Sequence, residues 1–353
     1  MNRRAFLIAL PTLIAARHVL ANAGVKPGRL GICNFSCHRH WEAVRKQETG
    51  VRFKDAPSFY GYVRQLGADG VQTSVRGLDR SAVKTLRGRI EADDCYFEGD
   101  VRLPKSEAEL AEFEQEVQLT REAGATVARA VLTGGRRYEL FRSLAEFGKF
   151  HAEAVQRLGM VEPILRKHTL KLAIENHKDL TVDEHVALIK QISSEWIGTL
   201  VDTGNNLALL DDPYRSIEVL APFALSVHLK DMALQSNADG FLLSEVSCGT
   251  GFLDLPRMAS TLLKANPNII FNLEMATRDP LKIPCLTQAY WLTFPERRVT
   301  HLDAAMRLVE GNPPKLPPPT IADKTMPQQL AEEESNNRTS LQWMHQHLVR
   351  HQS

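Results

Sequence analysis

Four short stretches of the sequence decide the fold, and they read, in chain order, KLAIENH at residues 171–177, GTLVDTGN at 198–205, LSVHLKD at 225–231 and IIFNLEM at 269–275. Each stretch contains a run of apolar residues, as a buried strand does, followed by polar or charged ones. The segments between them are longer, and their apolar residues recur at helical spacing. They predict helices at 182–192, 214–221 and 255–264. Strands that alternate with helices predict βαβ units and a parallel sheet.

The same alternation runs through the N-terminal half of the chain. Predicted strands lie at 30–35, 70–75 and 127–133, with a weaker one at 96–103. Predicted helices lie at 58–67, 80–92, 107–123 and 140–167, and a last one at 300–309 follows the eighth strand. Eight repeats favour a (β/α)₈ TIM barrel over residues 24–311, because that fold occupies ~250 residues as one domain. An open doubly wound sheet is the alternative, but no glycine-rich turn follows the first strand to hold a dinucleotide.

The first 23 residues have the pattern of an export signal. Arg3 and Arg4 precede an apolar run at 5–16, and Ala21-Asn22-Ala23 offers small residues at a spacing that a signal peptidase accepts. The start is similar to the twin-arginine signal, which predicts an exported, periplasmic protein. A membrane anchor is the alternative, but the apolar run is shorter than the ~20 residues that a membrane span requires.

The composition changes again after Gly311. Prolines dominate residues 313–319, which predicts a stiff, extended linker because proline fixes φ and donates no hydrogen bond. Residues 328–352 then predict a polar helix, so that 312–353 form a linker and a helical tail. We expect this tail to dock on the barrel without joining it, or to pack on a neighbouring copy, which leaves a homo-oligomer open.

Charge and cysteine content narrow the classes of function. The chain has 43 basic and 42 acidic residues and a net charge of +1, whereas a nucleic-acid partner requires a concentrated basic face. Its five cysteines fit no zinc-ribbon or disulfide-scaffold spacing. We therefore expect neither a nucleic-acid partner nor a stable membrane span.

Four polar residues end consecutive predicted strands, namely Glu175, Asp202, His228 and Glu274. The active site of a TIM barrel lies at the carboxyl ends of its strands, so these side chains are expected to converge. Three carboxylates placed together repel one another unless a cation neutralises them. The mixed oxygen and nitrogen donors suit one divalent metal ion, such as Mn²⁺, Mg²⁺, Co²⁺ or Zn²⁺.

The motifs around these residues resemble the sugar phosphate isomerase/epimerase family, whose members have a xylose-isomerase-like TIM barrel. The resemblance rests on residues 174–180, 200–205 and 227–231. It implies that Glu175, Asp202, His228 and Glu274 bind one divalent metal. It does not fix the substrate, because the family includes isomerases, epimerases, dehydratases and lyases.

The sequence departs from the ketose 3-epimerases of that family. Asn205 stands where they carry a second histidine, Thr181 where they carry a glutamate, and Leu234 where they carry an arginine. A plain ketose epimerase is therefore less favoured. The endonucleases that share this barrel are less favoured still, because they need further histidines and acids for three metals.

Strand alternation adds candidates for chemistry. Residues two apart on a strand face the same side, so His177 and Lys230 are expected beyond Glu175 and His228, nearer the solvent. His177 has the ordinary pKa of a general acid or base, and Lys230 suits a substrate oxygen or an enolate. Further residues near the strand ends are assigned to substrate binding, namely Asn176, Asn205 and Arg278.

These features predict a metal-dependent isomerase, epimerase or lyase that enolises a ketone-bearing sugar or an oxidised glycoside. Glu175, Glu274, His177 and Lys230 are the catalytic candidates, with proton transfer by a carboxylate or by His177. Two other classes stay open. One is a catalytically silent barrel that binds carbohydrate, and the other is a divalent-metal hydrolase with a metal-bound water.

Overall fold

The structure is a computed structural model that describes residues 29–348. Eight parallel strands close into a barrel, and they are β1 (Leu30–Cys33), β2 (Gly70–Thr73), β3 (Tyr96–Asp100), β4 (Val127–Ala130), β5 (Lys171–Glu175), β6 (Ile197–Asp202), β7 (Ala224–Leu229) and β10 (Phe271–Leu273). Three more form an antiparallel sheet, namely β8 (Asp231–Asn237), β9 (Gly240–Val246) and β11 (Leu281–Ile283). Because β1 pairs with both β2 and β10, the barrel is closed, and the predicted (β/α)₈ fold is confirmed.

The antiparallel sheet is the main departure from the predicted elements. We predicted that the seventh strand continues to Asp231, but β7 ends at Leu229 and Asp231 begins β8. The Asp231 carboxylate accepts backbone N–H bonds from Met232 and Gly251, each at 2.9 Å, and these bonds turn the chain away from the barrel. A hairpin then closes at Gly240, whose φ of +148° favours glycine.

Helices surround the barrel, and they are α1 (His38–Arg45), α2 (Ala56–Gln65), α3 (Arg80–Ala92), α4 (Leu110–Glu122), α5 (Arg137–Leu140), α6 (Leu144–His168), α7 (Val182–Ile192), α8 (Pro213–Leu220), α9 (Leu255–Ala265), α10 (Arg297–Gly311) and α11 (Met326–His347). Several begin at a side chain that accepts a backbone N–H of the first turn, as Asp79 does for α3 and Thr181 for α7. The first N–H groups of a helix have no partner within it, so these caps fix where the helices start.

The helix α11 occupies the place of the eighth barrel helix. It packs against β1, β10 and α1, whereas α10, which covers the predicted helix at 300–309, contacts β8 instead. Glu333 of α11 is fully buried and accepts the backbone N–H groups of Arg39 at 2.7 Å and His40 at 3.1 Å. We expected the tail to dock without joining the barrel. In the structure α11 does dock on the barrel, whose wall consists of the eight strands, and its buried contacts lie against β1, β10 and α1.

The N-terminal end of the barrel interior is filled by an aromatic side chain. Tyr96 crosses the interior and donates a hydrogen bond from its hydroxyl to Asn272 Oδ1 at 2.8 Å. Gly31 and Gly70 make room for it, since a Cβ at Gly31 would lie 1.9 Å from the Tyr96 hydroxyl oxygen and one at Gly70 would lie 2.3 Å from its ring. Tyr96 therefore closes the barrel interior at the amino ends of the strands. A site is then expected at the carboxyl ends.

The predicted signal peptide at residues 1–23 lies outside the described residues, as do the last residues of the predicted tail helix, 349–352. Within residues 29–348, no helix is both long enough and apolar enough to cross a membrane. All five cysteines fall within this part of the chain, and each is a free thiol.

Candidate functional site

Four buried side chains meet at the carboxyl ends of consecutive barrel strands. Glu175 and Asp202 end β5 and β6, His228 lies on β7, and Glu274 directly follows β10. Each offers a donor atom within 4.8 Å of the donors of the others, and none is more than 3% exposed. We refer to these four residues as the ligand cluster.

The carboxylates of the ligand cluster differ in their pKa values. Burial raises the pKa of Glu175, but the Arg129 guanidinium, 2.5 Å from Glu175 Oε2, outweighs it and holds that pKa at about 2. Burial likewise raises the pKa of Glu274, yet Lys230 and His228 bring it well below the usual range. Asp202 moves the other way, because burial raises its pKa to about 7. Two of the three acids are thus held as anions inside the barrel.

Lys230 is the cation that pairs with the other two acids. Its ammonium lies 2.5 Å from Glu274 Oε2 and 2.9 Å from Asp202 Oδ2, and the side chain is only 2% exposed. Glu245 of β9 adds a third acidic neighbour at 3.6 Å. Burial lowers the pKa of Lys230, but Asp202, Glu245 and Glu274 together raise it well above the usual value. A positive charge therefore belongs at this point of the site.

Some atoms of the ligand cluster have no hydrogen-bond partner among the described residues. These are Asp202 Oδ2, His228 Nδ1 and Glu274 Oε2, although Lys230 forms ion pairs with both acids. Lys230 compensates the charge of the two acids, and His228 Nδ1 lies 3.4 Å from Glu274 Oε2, so the three atoms crowd one small region that favours a cation. Carboxylate oxygens and a neutral imidazole nitrogen are the donors that a divalent ion takes, and the residues present fit such an ion.

The tautomer of His228 follows from the contacts of its other nitrogen. Nε2 lies 2.6 Å from Gln72 Oε1, and the Gln72 amide donates from Nε2 to Glu98 Oε2 at 2.9 Å. Because the carboxylate of Glu98 only accepts there, the Gln72 oxygen must face the imidazole and accept its proton. His228 therefore donates from Nε2, and its Nδ1 faces the ligand cluster. Burial lowers the pKa of the imidazole, but Glu274 and Cys33 outweigh burial and raise that pKa well above its usual value, so a metal at Nδ1 would displace a proton.

Glu98 organises the layer of polar residues beneath the ligand cluster. Besides Gln72, its Oε2 accepts from Ser226 Oγ and Asn272 Nδ2, both at 2.7 Å. We call Gln72, Glu98, Ser226 and Asn272 the inner network. Burial raises the pKa of Glu98. The inner network orients the ligand cluster through one contact, that between Gln72 and His228.

The two predicted asparagines have different surroundings. Asn205 donates from Nδ2 to Glu175 Oε1 at 2.9 Å, and its Oδ1 accepts from Lys178 and, at 3.3 Å, from Lys230. Asn176 instead faces β6, where it accepts from the Asp202 N–H at 2.7 Å and donates to the Asp202 carbonyl at 3.0 Å. Asn176 thus joins β5 to β6, and its assignment to substrate binding stays a prediction.

His177 and Arg278 lie beside the ligand cluster. β5 ends at Glu175, so His177 sits in the following loop, half-buried, with Nδ1 lacking a hydrogen-bond partner in the described chain. Burial, followed by the charge of Lys178, lowers the pKa of His177 to about 3, which keeps it neutral at pH 7. Arg278 is paired with Glu245 at 2.5 Å. It therefore reaches the site through the acid that also contacts Lys230.

Several residues of the site were missed from the sequence, namely Gln72, Glu98, Arg129, Lys178 and Glu245. Arg129 lies within β4, and a charged residue inside an apolar run gives no sequence signal for a contact with Glu175. Glu245 lies on the hairpin that we did not predict, although the Asp239-Gly240 pair between two alternating runs is a known signal for one. Burial of Lys178 lowers its pKa to about 8, and nothing in its sequence context indicates that burial.

The family described as "Xylose isomerase-like TIM barrel" matches residues 61–293, which is well over half of the chain. The chain therefore belongs to the xylose isomerase-like TIM barrel family, and the resemblance seen in its motifs is confirmed.

Individual relatives are more distant. The 3-oxo-isoapionate decarboxylase of Pectobacterium atrosepticum is 30% identical over 119 residues, which is 33% of this chain and 43% of that protein. The match therefore spans less than half of the relative's length. A D-psicose 3-epimerase structure determined in the presence of D-fructose has a TM-score of 0.59 and 14% identity, covering 91% of this chain and 99% of that one. A barrel protein from Mycobacterium smegmatis in complex with magnesium has a TM-score of 0.51 and 13% identity, covering 81% and 99%.

Proposed function

We propose that this protein is a divalent-metal-dependent lyase that forms an enolate from a ketone-bearing sugar acid. The observation that carries the proposal is the ligand cluster, whose four buried residues bring their donor atoms within 4.8 Å of one another next to Lys230. The magnesium complex of a similar barrel supports a metal here. The decarboxylase among the relatives supports a lyase that acts on an oxo acid.

Each member of the ligand cluster would hold the ion through one oxygen or nitrogen atom. When bound, such an ion supplies Lewis-acid stabilisation to a ketone oxygen on which negative charge develops. Arg129 keeps Glu175 ionised, and Gln72 turns Nδ1 of His228 toward the ligand cluster. Because burial raises the pKa of Asp202 and Glu274 raises that of His228, metal binding would release protons from these two donors.

The contacts of Glu175 with Arg129 and Asn205 favour a lyase over an epimerase. Epimerisation removes a proton from one face of a carbon and returns one to the other face, which requires two free acid–base groups. Glu175 is bound by Arg129 and Asn205, and its pKa of about 2 makes it a weak base. A reaction that needs one proton donor fits the remaining groups better.

Lys230 is assigned as that donor. In the decarboxylation of a 3-oxo acid, the bond between the α-carbon and the carboxylate carbon breaks, its electron pair enters the enolate, and CO₂ leaves. The Lys230 ammonium then donates one proton to the enolate carbon and regains it from water. Lys178 and Arg278 add positive charge near Lys230, which favours an anionic substrate.

The test is a deuterium experiment on the metal-loaded protein. After metal analysis, the protein is incubated in D₂O with neutral ketoses, 3-keto-glycosides and 3-oxo sugar acids, and products are followed by NMR. We expect CO₂ release and one deuterium at the former α-carbon of an oxo acid. Deuterium exchange with inversion at a carbon of a ketose would instead identify an epimerase. The absence of exchange with every substrate would indicate a protein that binds carbohydrate without turnover.

Lys230→Met examines the proton donor. Loss of a general acid typically costs ~10²–10⁴ in rate, so turnover should fall by that factor while stoichiometric metal is retained. Lys282→Met removes an exposed lysine of β11 and serves as the matched control, with no change expected. Full activity in Lys230→Met would show that another group donates the proton.

A further inference from the structure

We infer that the thiol of Cys33 is an additional donor to the ion, so that this site selects a thiophilic metal such as Zn²⁺ or Co²⁺ over Mg²⁺. The inference rests on the proposed metal dependence. It concerns a residue of β1, a strand that contributes nothing to the ligand cluster as described above.

The strand register places Cys33 at the ligand cluster. Leu273 of β10 pairs with Ile32, so Cys33 and Glu274 are the next residues of two adjacent parallel strands. Gly31 faces the barrel interior, where its Cβ would meet Tyr96, and Cys33 shares that side of the strand. The thiol is fully buried, and its sulfur lies within 4.8 Å of a ring nitrogen of His228 and an oxygen of Glu274.

A second observation points to a ligand at the same place. His228 Nδ1 is a buried atom without a hydrogen-bond partner among the described residues, and so is Glu274 Oε2, although Lys230 Nζ forms an ion pair with it. The sulfur of Cys33 thus belongs to a group of three possible donors, two of which form no hydrogen bond within the described residues. Cys37, four residues further on, differs in this respect, because Asn337 Nδ2 donates to its sulfur at 3.4 Å.

The chemistry of sulfur gives the selectivity. A thiolate binds Zn²⁺ and Co²⁺ strongly, whereas Mg²⁺ prefers oxygen donors and retains its water. The Cys33 thiol loses its proton to solvent when the metal–sulfur bond forms, so that binding of the ion releases a proton. Cys33, His228 and the acids then provide one sulfur, one nitrogen and several oxygens.

Titration of the full chain with Co²⁺ tests this directly. A cobalt-bound thiolate gives an intense charge-transfer band in the near ultraviolet, besides the weaker visible bands that any bound Co²⁺ gives. We expect the near-ultraviolet band at one equivalent of Co²⁺. Cys33→Ser should lose it and keep the visible bands, whereas Cys37→Ser should retain both.

Competition titrations measure the selectivity itself. The ratio of Zn²⁺ affinity to Mn²⁺ affinity should fall at least ~10-fold in Cys33→Ser and stay unchanged in Cys37→Ser. ¹¹³Cd NMR of the wild-type protein reports sulfur ligation without any substitution, and a shift typical of oxygen and nitrogen donors alone would overturn the inference.

The outcomes separate this inference from the proposed function. Stoichiometric Co²⁺ with visible bands but no charge-transfer band refutes the role of Cys33 and leaves the metal site in place. A band that survives in Cys33→Ser also refutes it. If the wild-type chain binds no Co²⁺, Zn²⁺ or Mn²⁺, both the metal-dependent function and the inference fall.

Discussion

The ligand cluster and the inner network are two polar layers inside the same barrel, and their buried polar atoms are compensated by different kinds of partner. In the inner network, one carboxylate oxygen of Glu98 accepts three hydrogen bonds from neutral donors. In the ligand cluster, three carboxylates and an imidazole share two strong cations, Arg129 and Lys230, and three of their atoms still lack a hydrogen-bond partner in the described chain. Both layers are almost fully buried.

The difference teaches which layer serves structure and which serves a ligand. Burying a charge without full compensation is costly, so a fold keeps such a group only where another need outweighs stability. The inner network is held by neutral hydrogen bonds to Glu98 Oε2, although Glu98 Oε1 has no hydrogen-bond partner among the described residues, and its Gln72 orients His228. The ligand cluster instead concentrates several charged groups at one point, as a site for a ligand does. Changes in the two layers should therefore affect different measurements.

The largest effect is expected from Asp202→Asn. Asparagine keeps the Oδ1 that accepts the N–H groups of Gly204 and Asn205 at 2.8 Å, but it removes an anionic donor from the ligand cluster. We expect metal affinity to fall by more than ~100-fold and turnover to be lost with it. The substitution also breaks the buried ion pair with Lys230, so the free energy of unfolding of the metal-free protein should fall by ~1–3 kcal/mol. Isothermal titration with Mn²⁺ or Zn²⁺ and chemical denaturation measure the two quantities.

A smaller effect is expected from Gln72→Leu. The substitution preserves size but removes the oxygen that orients His228, and changes of this kind typically cost ~10–100-fold in metal affinity. Gln72→Glu is the matched variant, since it keeps an acceptor for the imidazole but places a second acid against Glu98. An affinity unchanged in Gln72→Leu would mean that His228 is oriented by the barrel alone.

The smallest effect is expected from Glu98→Gln, and it concerns pH. Burial raises the pKa of Glu98, so the folded protein holds this proton to higher pH than the unfolded chain does. Its contribution is fully present below the unfolded pKa, near 4.5, and is lost as pH rises through the folded pKa. We expect unfolding free energy to decline less steeply above pH 4.5 in Glu98→Gln than in the wild-type protein. Equal slopes in urea titrations across pH would contradict this.

The ligand cluster was predictable because each member follows an apolar run, and a closed barrel brings the ends of such runs together. The inner network was not, since Glu98 and Gln72 lie within strands, and their interior positions depend on register. Lys230 was expected on the ligand side, and it contacts the acids even though β7 ends one residue earlier. Arg129 reaches Glu175 across the β4–β5 pair, a contact that only the assembled barrel defines.

The tail shows a different limit of sequence reasoning. Few apolar residues mark α11, so it was predicted to be a polar helix that docks on the barrel or on a neighbouring copy with few apolar contacts. In the structure Leu341 and Met344 are fully buried. Polar contacts also hold α11 against the barrel. Glu333, Asn337 and Ser340 are all buried, and each makes a hydrogen bond to a backbone or side-chain group of the barrel. A pattern search for apolar periodicity does not detect such a helix.

The position of α11 also has a consequence for the order in which the molecule takes shape during synthesis. Every barrel strand leaves the ribosome before α11 does, yet Glu333 caps α1 from 294 residues away in the chain. The seam between β1 and β10 thus stays uncovered while the rest of the barrel assembles. A nascent chain arrested within the proline-rich linker would expose this seam, and a chaperone that recognises unpaired apolar surface would find it there.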